Sequence, residues 1–189
     1  MSAPAKPFEF IATELPGVVV IQSRIFHDDR GLFVKTFHRE IFAQNGIAAD
    51  FAEQFFSVSH RGVMRGLHFQ LPPHHHAKLV CCLRGAVFDA VVDLRVDSPA
   101  FGKHVAVELS AENGKLLFVP PGFAHGFCAT TDEAMMLYNQ STVYAPQSDT
   151  GILWNSAGIA WPVANPVVSA RDLSFPKFSE FKSPFRMTS

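Results

Sequence analysis

"KLVCCLRGAVFDAVVDLRV" (residues 78–96) sets two apolar runs either side of Gly85. Both runs are rich in Val, Leu and Phe, and a glycine at the junction supplies the freedom a tight reversal needs, so the stretch reads as two adjacent antiparallel strands. The same grammar recurs in "GVVVIQS" (17–23), "GLFVKTF" (31–37), "FAEQFFSVS" (51–59), "MRGLHFQ" (64–70), "KHVAVELS" (103–110), "LLFVP" (116–120) and "MMLYNQSTVYA" (135–145). Between the runs lie Gly62, Pro72-Pro73, "DSPAFG", "AENG" and "PPG", the turn chemistry of an antiparallel sandwich or barrel. Only "HREIFAQNG" (38–46) has helical spacing, with Gly46 placed as its stop. The expectation is an all-β fold, a jelly-roll barrel with short helices.

The chain of 189 residues, 48% of them hydrophobic, fits a single domain over 1–189. Residues 1–12 read as an N-terminal arm. Residues 162–189 read as an irregular C-terminal tail, whose Phe175, Phe178, Phe181 and Phe185 carry too much apolar surface to stay solvated and should pack on the barrel or on a second subunit. Sixteen Lys and Arg against seventeen Asp and Glu, interspersed, leave no electrostatic footprint for nucleic acid. The longest apolar runs fall short of the roughly 20 residues of a membrane helix, and the N-terminus lacks the pattern of a signal peptide, so the expected compartment is the cytoplasm and the expected partner a small molecule. Cys81, Cys82 and Cys128 have no CxxC spacing and read as free, mostly buried thiols.

Four histidines cluster between residues 68 and 76 and raise the question of a metal. "GKLLFVPPGFAHGF" (114–127) resembles the second motif of the cupin jelly rolls, whose metal-binding members place a glutamate seven residues ahead of a glycine in the first motif. Here the glycine is Gly85 and the slot holds Lys78. An ammonium repels a divalent ion and has no lone pair to offer it, so no metal site is expected. His74, His75 and His76 follow Pro72-Pro73 and read as solvated loop histidines. His68 lies on a strand opposite in direction to Leu67 and Phe69 and can point inward, where a core histidine and a catalytic one are equally admissible.

"RGLHFQ", "AKLVCCLRGAVFDAVVDLR", "SPAFGK", "ELSAENGKLLFVPPGFAHGF", "LYNQSTVYAP", "GILWN" and "SARD", in that order, resemble the dTDP-4-dehydrorhamnose 3,5-epimerase family over about residues 10 to 175. The resemblance implies a cupin-type, cofactor-free homodimer that inverts C3, C5 or both in a nucleotide-diphosphate-linked 4-keto-6-deoxy sugar, in deoxysugar or polysaccharide biosynthesis. It implies His68 as base, Asp172 as the carboxylate that orients it, Tyr138 as the acid on the opposite face and Lys78 near the C4 oxygen. Arg30, Phe33 and Arg65 then fall near the nucleotide and diphosphate, and His125 and Tyr144 along the sugar and nucleotide side of the cleft. Asp89 pairs with a buried cation, in the site or in a purely structural role.

The chain departs from that family in two places. Lys35 in "RGLFVK" (30–35) stands where thymidine-linked members have a glutamate, and Glu53 and Phe55 in "EQFFSVS" (53–59) replace "QxNxS". Lysine is a donor only, so facing a base it favours cytosine or guanine, which present acceptors, over thymine N3. A solvated Lys35 is the alternative. Competing with the epimerase reading are a metal-dependent cupin enzyme and a non-catalytic sugar-nucleotide binding module.

Overall fold

A computed structural model describes residues 6–47 and 50–187; residues 1–5 of the expected arm and 188–189 of the expected tail lie outside the described residues. In chain order the first strands are β1 (Phe8–Ala12), β2 (Val19–Ser23), β3 (Ile25–Asp28) and β4 (Gly31–Val34), followed by helix α1 (Arg39–Gln44). Then come β5 (Glu53–His60), β6 (Val63–Gln70), β7 (Lys78–Arg84), β8 (Ala86–Asp93), β9 (His104–Ser110) and β10 (Lys115–Val119). The remainder is β11 (Phe123–Ala129), β12 (Glu133–Gln140), β13 (Asp149–Gly151), β14 (Val167–Val168) and helix α2 (Ala170–Leu173).

Two large sheets form, ordered β1-β2-β10-β7-β12-β5 and β13-β6-β11-β8-β9, with β14 added parallel to β6; β3 and β4 make a separate hairpin. The strand content agrees with the sequence, but the expected jelly-roll barrel does not form. Hydrogen bonding ends at β1 and β5 in the first sheet, and at β9 and β13 on the path of the second, so no sheet closes on itself. The two strands of the opening stretch, β7 and β8, belong to different sheets rather than pairing with each other. Gly85 turns the chain from one layer to the other at φ +69°, and a Cβ there would lie 2.1 Å from the Glu133 carbonyl oxygen.

Alternation decides what fills the space between the layers. From β7, Val80 and Cys82 point into a core shared with Val87 and Val91 of β8, Leu117 of β10, Phe127 of β11 and Met136 of β12. Leu79 and Cys81 point the other way, into an outer core with Ile21, Phe118 and Phe42 of α1. Phe8 joins that outer core edge-on to Phe42 at 5.1 Å, which is why part of the expected arm is the strand β1. The outer face of the second sheet, with Leu67, Phe69, Ala90 and Val92, is covered by Ile152, Ile159, Trp161, Phe178, Phe181 and Phe185. All three cysteines are free and buried, and burial pushes Cys81 up to about 12. Among the described residues no helix is long and apolar enough to cross a membrane.

Candidate active site

A cleft of about 220 Å³ opens toward one end of the space between the sheets. Its lining follows the period of two: Glu53, Phe55 and Ser57 of β5, His68 and Gln70 of β6, His76 and Lys78 at the start of β7, and Tyr138 and Gln140 of β12. Polar residues on the inward face of otherwise apolar strands are what convert this end of the core into a site.

His68 is set by two glycines. Gly66, at φ +137°, faces Gly126 of β11 so closely that a Cβ on Gly66 would lie 2.6 Å from the Gly126 Cα. This close approach brings β6 and β11 together where His68 pairs with His125. The His68 Nε2 lies 2.8 Å from Asp172 Oδ1, and Asp172 Oδ2 accepts the Gly66 N–H at 3.1 Å. Asp172 is held on α2, whose cap, the Ser169 Oγ, accepts the Asp172 N–H. Burial would raise the Asp172 pKa, but the His68 contact, the Gly66 amide and Ser169 outweigh it and hold the carboxyl below its ordinary range. An ionised Asp172 can only accept, so Nε2 carries the ring proton and Nδ1 keeps the lone pair. Burial lowers the His68 pKa, with Asp172 opposing, so the ring rests neutral. Phe175 meets it edge-on at 5.7 Å.

On the facing sheet, Lys78 is buried and donates from Nζ to the His68 carbonyl oxygen at 3.2 Å, spanning the two layers. Burial brings it down to about 8, with Asp149 and Asp89 opposing. Asp89 is fully buried, and both its oxygens lie 2.9 Å from His125 Nε2. Burial pushes its pKa up against the pull of His125 and Lys78. Tyr138 stacks on Phe55 at 4.7 Å, its hydroxyl 3.4 Å from Ser57 Oγ, and burial raises its pKa so that the phenol stays protonated. The cleft thus presents a lone-pair nitrogen from one sheet and an ammonium and a phenol from the other. That set suits proton abstraction next to a carbonyl, with the developing charge held and a proton returned from elsewhere.

A family model described as dTDP-4-dehydrorhamnose 3,5-epimerase matches residues 12–180. The chain belongs to this epimerase family. A dTDP-4-dehydrorhamnose 3,5-epimerase of Shigella flexneri is 45% identical over 171 residues, covering 89% of this chain and 94% of that protein. The solved structure of a dTDP-6-deoxy-D-glucose-3,5-epimerase from Legionella pneumophila, in complex with dTDP-4-keto-L-rhamnose, superposes with a TM-score of 0.91 at 34% identity, covering 96% of this chain and all of that one (100%). A 3'-monoepimerase from Streptomyces bikiniensis, in complex with dTDP-quinovose, gives 0.84 at 34% identity over 89% of this chain and 87% of that one.

Of the positions singled out by the resemblance to this epimerase family, His68, Lys78, Tyr138, His125, Arg65, Glu53 and Tyr144 all line the one cleft, and Asp172 stands behind His68. Arg65 is held by the Ser59 hydroxyl at 2.9 Å, and Glu53 accepts the Tyr144 N–H. Arg30, Phe33 and Lys35 are not in its lining: Arg30 pairs with Asp28 on the exposed β3–β4 hairpin, Phe33 is 60% exposed beside Phe26, and Lys35 follows β4. Reading His74 to His76 as solvated holds for His75 alone. His74 Nδ1 meets the Ser148 hydroxyl at 2.9 Å, and His76 is buried. Sequence reasoning passed over Ser57, Gln70, Gln140, Asp149 and Arg171 and set His76 aside as a loop histidine, and all six are in the lining. The signal for three of them was spacing, since Gln70, His76 and Gln140 stand two residues from His68, Lys78 and Tyr138.

Proposed function

We propose that this protein inverts C3, C5 or both in a dTDP-linked 4-keto-6-deoxy sugar, using a base from one sheet and an acid from the other. The observation that carries this reading is the placement of the His68–Asp172 pair on the second sheet opposite Lys78 and Tyr138 on the first, all around one cleft. The enzyme is an epimerase of nucleotide-linked 4-keto sugars. His68 Nδ1 takes the proton from the carbon beside the ketone, and the bonding pair moves into the C4 carbonyl. Lys78 hydrogen-bonds the resulting enolate oxygen, and the Tyr138 hydroxyl delivers a proton to the opposite face. No step requires a metal or an organic cofactor.

Because the incoming proton comes from a different group than the one that received the outgoing proton, every inversion in D₂O should leave deuterium on the inverted carbon. The test is NMR of the product from chelator-treated enzyme with dTDP-, CDP- and GDP-linked 4-keto-6-deoxyhexoses. Inversion without label, or no reaction with any of the three, would overturn the reading. The labelled positions identify the centres. Tyr138→Phe should keep exchange at the His68-facing position within about tenfold while inversion falls about 100-fold or more; equal loss of both would remove Tyr138 from the acid role.

Thymidine is favoured because the relatives of Legionella and Streptomyces carry dTDP sugars. The argument for another base rests on Lys35, which like Arg30 and Phe33 lies outside the cleft lining of its own protomer, so a preference for CDP or GDP sugars in the same assay would restore it.

The active form is a homodimer. Phe26, Leu32 and Phe33 on the hairpin are exposed, as are Phe56 and Val58 on the edge strand β5, apolar side chains that a second copy would cover. A two-fold pairing that lays the hairpin of one protomer against β5 of its partner brings Arg30 and Phe33 to the neighbouring cleft. Analytical ultracentrifugation should give the mass of two chains, and Phe33→Asp should shift it toward one while weakening dTDP binding. A fully active monomer would overturn the pairing.

A further inference from the structure

His76 is 8% exposed and lines the cleft, yet its Nε2 is buried with no hydrogen-bond partner among the described residues. The protonation of the ring follows from its neighbour. Gln70, itself 2% exposed, has its amide orientation set by the main chain: Oε1 accepts the Ala145 N–H at 2.7 Å and Nε2 donates to the His74 carbonyl at 2.7 Å. The same Nε2 stands 3.0 Å from His76 Nδ1. Since the Gln70 nitrogen has only hydrogens to offer, Nδ1 must accept, and the proton of the neutral ring sits on Nε2. A doubly protonated ring would set N–H against N–H, and burial together with Lys78, His125 and His75 brings the His76 pKa down to about 3. A buried donor left unpaired is costly and is retained where an acceptor arrives with a ligand.

We propose that His76 is a neutral electrophile of the reaction, its Nε2–H donating to the C4 oxygen of the hexulose beside the Lys78 ammonium. This rests on the epimerase reading and adds a second donor to it. A neutral imidazole is suited to the task because it polarises a carbonyl without adding a second buried charge next to Lys78. No bond is made or broken at His76. It holds the same oxygen whichever neighbouring carbon loses its proton, so it serves C3 and C5 alike.

The test compares His76→Phe with His76→Gln. Phenylalanine fills the space but offers no donor, and the Gln70 amide keeps the His74 carbonyl, with the Val143 carbonyl at 3.4 Å as its second acceptor. Glutamine can accept from Gln70 through its oxygen and present an N–H to the cleft. His76→Phe should lower kcat/KM about 100-fold, with deuterium exchange at C3 and C5 reduced by the same factor. The inhibition constant of dTDP, which lacks the hexulose, should stay within about twofold of the parent. His76→Gln should recover most of the loss. An unchanged kcat/KM in His76→Phe, equal impairment of the two variants, or a parallel loss of dTDP affinity would overturn the proposal. The ¹⁵N resonances of His76 give a readout independent of turnover. A protonated Nε2 and bare Nδ1, with the Nε2–H shifting when dTDP-4-keto-6-deoxyglucose is added but not when dTDP is, support it even if the parent proves to catalyse no exchange. No shift with the sugar overturns it.

Discussion

His68→Ala is expected to lower kcat/KM by about 1,000-fold or more, about 4 kcal/mol, and to abolish deuterium exchange at every carbon the parent labels. The size of the effect follows from the geometry: of the two histidine–carboxylate pairs at the cleft, His68–Asp172 leaves the ring 27% exposed, whereas the His125 ring, paired with the fully buried Asp89, is only 3% exposed. The fold should survive, because Asp172 keeps the Gly66 and Ser169 contacts and Leu67 and Phe69 stay in the outer core. dTDP binding and the thermal transition therefore serve as controls. Retained exchange with intact binding would pass the base role to another group. The pH dependence carries the same signature. A base works deprotonated, and burial lowers the His68 pKa below 6.5, so kcat/KM should hold its plateau to a lower pH than a solvent-exposed imidazole allows, with its acid limb below 6.5. Asp172→Asn removes the group that opposes burial, which moves that limb lower still.

Much of this site was legible because its polar residues stand where strand chemistry does not want them. Lys78 opens a strand of apolar residues, and Tyr138 is one of two tyrosines among nineteen phenylalanines. Within β12 the burial alternates residue by residue, so the face Tyr138 shares with Gln140 follows from counting. What escaped had physical reasons. β11 is buried along its whole length and shows no alternation, as a strand covered on both faces does. His76 follows two prolines and was classed by that composition, although its spacing from Lys78 places it on the same inward face. The sheet pairings join segments distant in sequence, β2 with β10 and β12 with β5 among them. Local patterning contains no term for whether the last strand finds the first, so a closed barrel and two open sheets read alike. Arg30 and Phe33 lie on a hairpin outside the cleft lining among the described residues, and a single chain cannot specify what a second copy would contribute.

Lys78→Met should separate stability from activity. Removing the ammonium from the enolate oxygen is expected to lower kcat/KM by about 1,000-fold. The sign for stability is the reverse. Lys78 is held at about 8 in the folded protein against an ordinary 10.5, so between those values the unfolded chain binds a proton that the native one does not. Stability contributed by this group therefore rises as the pH climbs from about 8 to 10.5, and below about 8 the folded protein carries the full cost, of order 3 kcal/mol. Methionine removes that cost, and Asp89 retains both its contacts to His125. The variant should thus melt no lower than the parent at pH 7 while being nearly inactive, and the parent's rise in stability above about pH 8 should vanish from it. In the parent, kcat/KM should fall above about pH 8, because the working form of Lys78 is the protonated one. Tyr138 is pushed further above its ordinary range and does not supply that limb. An inactive variant that is also strongly destabilised would make Lys78 a structural cation. An active one would leave the enolate to other donors. Only a stable, inactive protein fits an ammonium kept in the core, against its solvation preference, for the charge that appears on C4.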